Sequence, residues 1–287
     1  MSTARCAPHR TDVTEASVAL TAHPTPLVRD TWVSTPEGRL YARIWAPDAA
    51  SLEHPDGAFV LLHDSLGSVE LWREFPAQLA QDSGRPVVAY DRLGYGRSDP
   101  ATDLPPPNFV SLEVQAGLQP VLDQLGIDDA TLIGHSVGGG MGVYAAAQMP
   151  QRVRALITIA AQAFPEDRTL QAIAEARVQF QEEVQLARLR KYHGDKARWV
   201  VDAWTESWLS PAFAQWHLRE ALPQVRCAVL ALHGQQDEYG TDVHPEIITT
   251  LCAGPSRMVL MPDTHHLPHR ERPQEVIDQI RAFIAAG

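Results

Sequence analysis

Ser136 stands in the stretch LIGHSVGGGMG (residues 132–142), a single hydroxyl beside His135, between an apolar run and a cluster of glycines. Glycines punctuate strand-to-helix loops whatever the neighbouring serine does, so an ordinary loop is one reading. The sharper reading is a nucleophile on a strained turn. Gly134 and Gly138, two residues to either side, would keep side chains clear of the adjoining strand and helix. A helix starting just past Ser136 would aim its free N–H groups and positive dipole end at a developing oxyanion. A serine hydroxyl is a poor nucleophile until a base takes its proton, and a histidine base needs an acid to fix its tautomer. Of 12 histidines, MPDTHHLPHRERP (261–273) offers His265, His266 and His269, and LALHGQQDEYG (230–240) offers Asp237 with Glu238 as the alternative acid. The chain order is Ser, Asp, His.

These residues must be positioned by strands, and eight runs read as strands: 27–35, 39–47, 57–64, 86–91, 130–135, 153–161, 227–234 and 256–262. The first two alternate apolar and polar residues, as half-exposed antiparallel strands do. The later ones are nearly continuous apolar runs, which suit a parallel sheet buried on both faces. Amphipathic stretches at 109–125, 139–149 and 273–286 have the length of crossover helices. From 164 to 223 no strand pattern occurs. TLQAIAEARVQFQEEVQLARLRKYHG and KARWVVDAWTESWL have helical spacing, with Gly194 as a stop, so this segment is predicted to be a helical insertion. It divides the core into residues 26–163 and 224–287. Trp199, Trp204, Trp208 and Trp216 lie in it. Packing the insertion onto the core explains them as well as substrate contact does, and both hold if it roofs a pocket.

With the G-x-S-x-G pattern in a strand–turn–helix context, the sequence resembles the α/β-hydrolase family from about residue 27 to the C-terminus. GHSVGG is similar to the family's nucleophile elbow, and DRLGYGRSD (91–99) to a segment that braces loops around the site. THHLPHRERP is similar to the G-H-x-x-x-x-E-x-P ending, which puts the histidine at His266, followed by Glu271 and Pro273. His265 stands where the family has glycine, and His269 is left as a wall or surface group. LLHDSLGSVELW (61–72) is similar to the oxyanion segment after the third strand. The resemblance implies that Ser65 and Val137 donate the two oxyanion N–H groups. Asp64 replaces a common glycine there and is expected to make a loop hydrogen bond.

The fold implied is an α/β-hydrolase fold, a mostly parallel eight-stranded sheet flanked by helices, with a helical cap. The activity implied is hydrolysis of a small, partly apolar carboxylic ester by Ser136, Asp237 and His266, without metal or cofactor. Leu66, His135, Trp204 and Trp208 are the expected pocket residues. Dehalogenases and epoxide hydrolases of the family generally use an aspartate nucleophile, against which Ser136 weighs. Lactonase, thioesterase and carbon–carbon bond hydrolase remain as alternatives, and so does a small-molecule receptor on the same fold. The net charge of −11 argues against nucleic acid or an anionic membrane as partner, leaving a small-molecule substrate. Three widely spaced cysteines and no secretory pattern suggest a cytoplasmic setting, and no apolar run reaches the roughly 18 residues that span a bilayer. Residues 1–25 read as a polar tail. Oligomeric state is not legible.

Overall fold

The computed structural model describes residues 25–286; the tail expected at the N-terminus and Cys6 lie outside them, apart from Thr25. All eight expected strands form: β1 Leu27–Thr35, β2 Gly38–Ala46, β3 Phe59–Leu62, β4 Val87–Tyr90, β5 Ala130–His135, β6 Val153–Ile159, β7 Ala228–Gly234 and β8 Ser256–Met261. They make one sheet in the order β1-β2-β4-β3-β5-β6-β7-β8. β1 and β2 pair antiparallel in register from Leu27 opposite Ala46 to Thr35 opposite Gly38, and β2 pairs antiparallel with β4. Every later pair is parallel.

Period-two geometry explains the continuous apolar runs. Val60, Leu62, Leu132, Leu156 and Val229 enter the core on one face, while Phe59, Leu61, Ile133, Ile157 and Leu230 enter it on the other. Each such side chain contributes about 1.5–3 kcal/mol on full burial. β8 departs from the expectation of burial on both faces, since Ser256 and Arg257 are exposed. It is an edge strand, with a neighbour on one side alone.

The helices are α1 Ala49–Glu53, α2 Phe75–Ser83, α3 Phe109–Glu113, α4 Gln119–Leu125, α5 Val137–Gln148, α6 Asp167–Gln179, α7 Glu183–His193, α8 Ala197–Trp208, α9 Val243–Leu251, α10 Pro268–Glu271 and α11 Pro273–Ala286. The stretch 109–125, expected as a plain helix, runs through a π-helical turn at Val114–Leu118 between α3 and α4. Between β6 and β7 the described residues form α6, α7 and α8 and no strand. α8 buries Ala197, Val200, Val201, Trp204 and Trp208, the spacing of one helical face. Phe213, just beyond it, stacks on Trp216 at 5.1 Å and 10° and packs against Trp208 at 5.1 Å. Among the described residues no helix is long and apolar enough to cross a membrane.

Candidate active site

Because β3, β5, β6, β7 and β8 run parallel, the loops that leave them meet along one sheet edge, where ligands of open α/β sheets bind. Ser136 follows β5 with φ 54° and ψ −123°, a conformation unfavourable for a residue with a side chain. Its backbone N–H donates to the Ile159 carbonyl at 2.9 Å, and α5 begins at the next residue. A side chain at Gly134 would run into the Gly138 carbonyl, and one at Gly138 into the Leu62 carbonyl. The strained turn therefore requires glycine at both places.

His266, in the loop between β8 and α10, lies with Nδ1 2.9 Å from each carboxylate oxygen of Asp237, which follows β7. Asp237 is buried and also accepts the Tyr239 N–H at 2.8 Å. Burial pushes the Asp237 carboxyl up, but the hydrogen bond and charge of His266, with His233 and the Tyr239 N–H, bring it below the ordinary carboxylate range. Burial works to lower His266, and the hydrogen bond and charge of Asp237, with Asp64 and Glu238, more than offset it. His266 therefore titrates above the ordinary histidine range. Glu238, the alternative acid, takes the His266 backbone N–H at 3.3 Å instead of the ring. Glu271 clamps the same loop through the N–H groups of His265 at 2.9 Å and Leu267 at 3.1 Å.

The Ser136 hydroxyl donates to Oε1 of Gln162, at 3.2 Å, rather than to His266. Gln162 lies just past β6 and is buried. Sequence reasoning missed it, although a lone amide ending the apolar run VRALITIAA was a visible signal. Ser65, Leu66, Ser136, Gln162 and His266 line a cavity of about 310 Å³, closed on the helical side by Ile173, Leu189, Trp204 and Trp208. Ser65 faces this cavity and Val137 is the first residue of α5; neither backbone N–H has an acceptor among the described residues.

Two expectations need correction. His135 does not line the cavity: it is buried behind the wall, with Nδ1 3.0 Å from Asp64 and Nε2 2.8 Å from the His266 carbonyl. As the last residue of β5 it points away from the side on which the turn displays Ser136. His269 is neither wall nor surface but core, 4.7 Å from the Trp72 ring and 4.6 Å from that of His135. The bracing expected of DRLGYGRSD is present. Asp91 accepts the N–H groups of Val69 at 2.6 Å and Arg97 at 2.8 Å, and Ser98 accepts that of Tyr41 at 2.9 Å. Asp64 makes the expected loop hydrogen bond, to the Leu66 N–H at 2.7 Å.

Comparison with known proteins points the same way as this architecture. A sequence model described as the alpha/beta hydrolase fold matches residues 57–273. Epoxide hydrolase 3 of Siraitia grosvenorii is 31% identical over 134 residues, 46% of this chain and 40% of that protein, so the match spans less than half of that relative. The human serine hydrolase BPHL is 28% identical over 225 residues, 75% of this chain and 74% of that protein. Among solved structures, 2-hydroxy-6-oxo-6-phenylhexa-2,4-dienoate hydrolase from Rhodococcus sp. strain RHA1 superimposes with a TM-score of 0.73 at 17% identity, covering 91% of this chain and 100% of that one. At that identity the likeness is one of fold.

Proposed function

The chain belongs to the alpha/beta hydrolase fold family, and on that premise we propose that it is a serine hydrolase that cleaves a small, partly apolar carboxylic ester through an acyl-enzyme on Ser136. The observation that carries this reading is the two-point grip of Asp237 on His266 Nδ1, both oxygens at 2.9 Å. It leaves Nε2 as the atom free to accept a proton, at the rim of the cavity that Ser136 also lines.

In this mechanism the Ser136 hydroxyl turns from Gln162 to His266 and its oxygen attacks the ester carbonyl carbon while Nε2 takes the proton. The N–H groups of Ser65 and Val137 hold the oxyanion. The C–O bond to the alcohol then breaks, with His266 returning its proton to the leaving oxygen. Water, deprotonated by the same nitrogen, attacks the acyl-enzyme and releases the acid and the free serine. The apolar walls, among them Leu66, Ile173 and Leu189, suit an aliphatic or aromatic acyl group. No step requires a metal or cofactor.

One observation favours a second reading, hydrolysis of a carbon–carbon bond in a dienoic acid. Arg270 lines the cavity, and its guanidinium makes no hydrogen bond or ion pair among the described residues, so it is available to a substrate carboxylate. Turnover of short nitrophenyl esters and of a vinylogous diketone acid, each beside Ser136→Ala, separates the two. The ester reading expects ester turnover that the variant abolishes, with kcat/KM rising with pH through one ionisation above about 6.5, since His266 must be neutral to accept the proton and its partners raise it. Turnover of the diketone acid alone would replace it with the second reading.

A further inference from the structure

The departure at Asp64 has a structural use. We infer that Asp64, paired with His135, is a positioning residue that ties the oxyanion loop, the serine turn and the histidine loop into one unit. The inference rests on the serine-hydrolase reading of the same site.

Two oxygens of one carboxylate do separate tasks. Oδ1 accepts the Leu66 N–H at 2.7 Å, while Oδ2 lies 3.0 Å from His135 Nδ1. Ser65, whose N–H is assigned to the oxyanion, is the single residue between the two ends of the Asp64–Leu66 clamp. The Asp64 carbonyl is held as well, by Arg92 Nη2 at 2.8 Å and by the Gly67 N–H at 3.2 Å. The direction of the Ser65 N–H is thereby determined by contacts on both sides.

His135 carries this restraint across the site. It directly precedes Ser136, and its Nε2 lies 2.8 Å from the His266 carbonyl. A carbonyl oxygen only accepts, so Nε2 carries a hydrogen and donates. The contact between Nδ1 and Oδ2 then requires a further proton between those two atoms, which leaves the pair with no net charge. Burial raises the Asp64 carboxyl, yet the hydrogen bond and charge of His135, with His63 and the Leu66 N–H, carry it well below the ordinary range. One buried imidazole thus links the loops after β3 and β8 through the residue next to the nucleophile. An oxyanion donor misplaced by about 1 Å costs on the order of 100-fold in rate, so such a link affects turnover more than binding.

Asp64→Ala and Asp64→Asn separate the contacts from the charge. Alanine removes both contacts. Asparagine keeps them without charge, Oδ1 accepting from Leu66 and Nδ2 donating to His135 Nδ1. In variants that fold as the wild type does by circular dichroism, Asp64→Ala is expected to lower kcat about 100-fold with KM changing far less, and Asp64→Asn to restore most of kcat. An unchanged kcat in Asp64→Ala overturns the inference, and so does an Asp64→Asn as impaired as Asp64→Ala. If Asp64→Ala does not fold, Asp64→Ser, which keeps the Leu66 contact but is too short for His135, is measured instead and is expected to lose kcat in the same way. Wild-type protein is assayed alongside. Absence of wild-type turnover and of labelling at Ser136 would overturn the hydrolase reading and this inference together, whereas an active wild type with an indifferent Asp64 overturns this inference alone.

Discussion

In the proposed mechanism the Ser136 oxygen gains nothing from its strained backbone unless a base is correctly presented, and that presentation rests on Asp237. With both carboxylate oxygens 2.9 Å from Nδ1, the carboxylate selects the tautomer that keeps the proton on Nδ1 and the lone pair on Nε2. Asparagine would offer its amide hydrogens to Nδ1 and favour the opposite tautomer. Asp237→Asn is therefore expected to lower kcat about 10³- to 10⁴-fold while melting within a few degrees of the wild type; a rate within tenfold of wild type would assign the acid elsewhere. The candidate serine, acid and histidine were legible because each sits in a local pattern that chemistry constrains: glycines two residues away, a loop leaving an apolar strand, a Glu-x-Pro ending. Gln162 and the burial of His135 were not legible. An amide after a strand has no spacing rule, and which side of the wall an imidazole occupies depends on contacts such as those of Asp64 and the His266 carbonyl, distant in sequence.

At the scale of elements, a latch at the end of α7 joins the helices between β6 and β7 to the loops of the core. His193, the last residue of α7, is buried against the core. Its Nδ1 accepts the Gly96 N–H at 2.9 Å, so Nε2 carries the hydrogen and donates to the Leu66 carbonyl at 3.0 Å. This neutral form is favoured, as burial pushes His193 down to about 4, with the backbone contact to Leu66 opposing. The linkage has a definite sign. Between about 6.5 and about 4 the unfolded chain binds a proton that the folded chain excludes, so stability falls as pH drops through that window. Thermal melts are expected to show that decline, and His193→Ala to lower stability at pH 7 by about 1–3 kcal/mol, through the unpaired Gly96 and Leu66 groups, while flattening the pH dependence. A variant as stable and as pH-sensitive as the wild type would contradict the role given to His193. The helical character of this segment was readable from spacing, and its docking was not, because a latch joining α7 to two loops near residues 66 and 96 has no local signature. The π-helical turn at Val114–Leu118 was hidden for a similar reason, since hydrophobic spacing does not distinguish it from an ordinary turn.

For the molecule as a whole, the parallel strands place their outgoing loops along one edge, and three helices between β6 and β7 line the cavity beside those loops. The antiparallel start followed from the change in hydrophobic pattern between the second and third strands, while the order of strands in the sheet had no local signature. The exposure of β8 did not, because only the assembled sheet decides which strand lies at an edge. Fold alone leaves the reaction open, and the central claim concerns one oxygen atom. Intact-mass measurement after treatment with a fluorophosphonate, beside a Ser136→Ala control, tests it most directly. A nucleophilic Ser136 gives a single covalent adduct on the wild type and none on the variant; a folded wild type that takes no adduct, or a variant that still takes one, would rule it out.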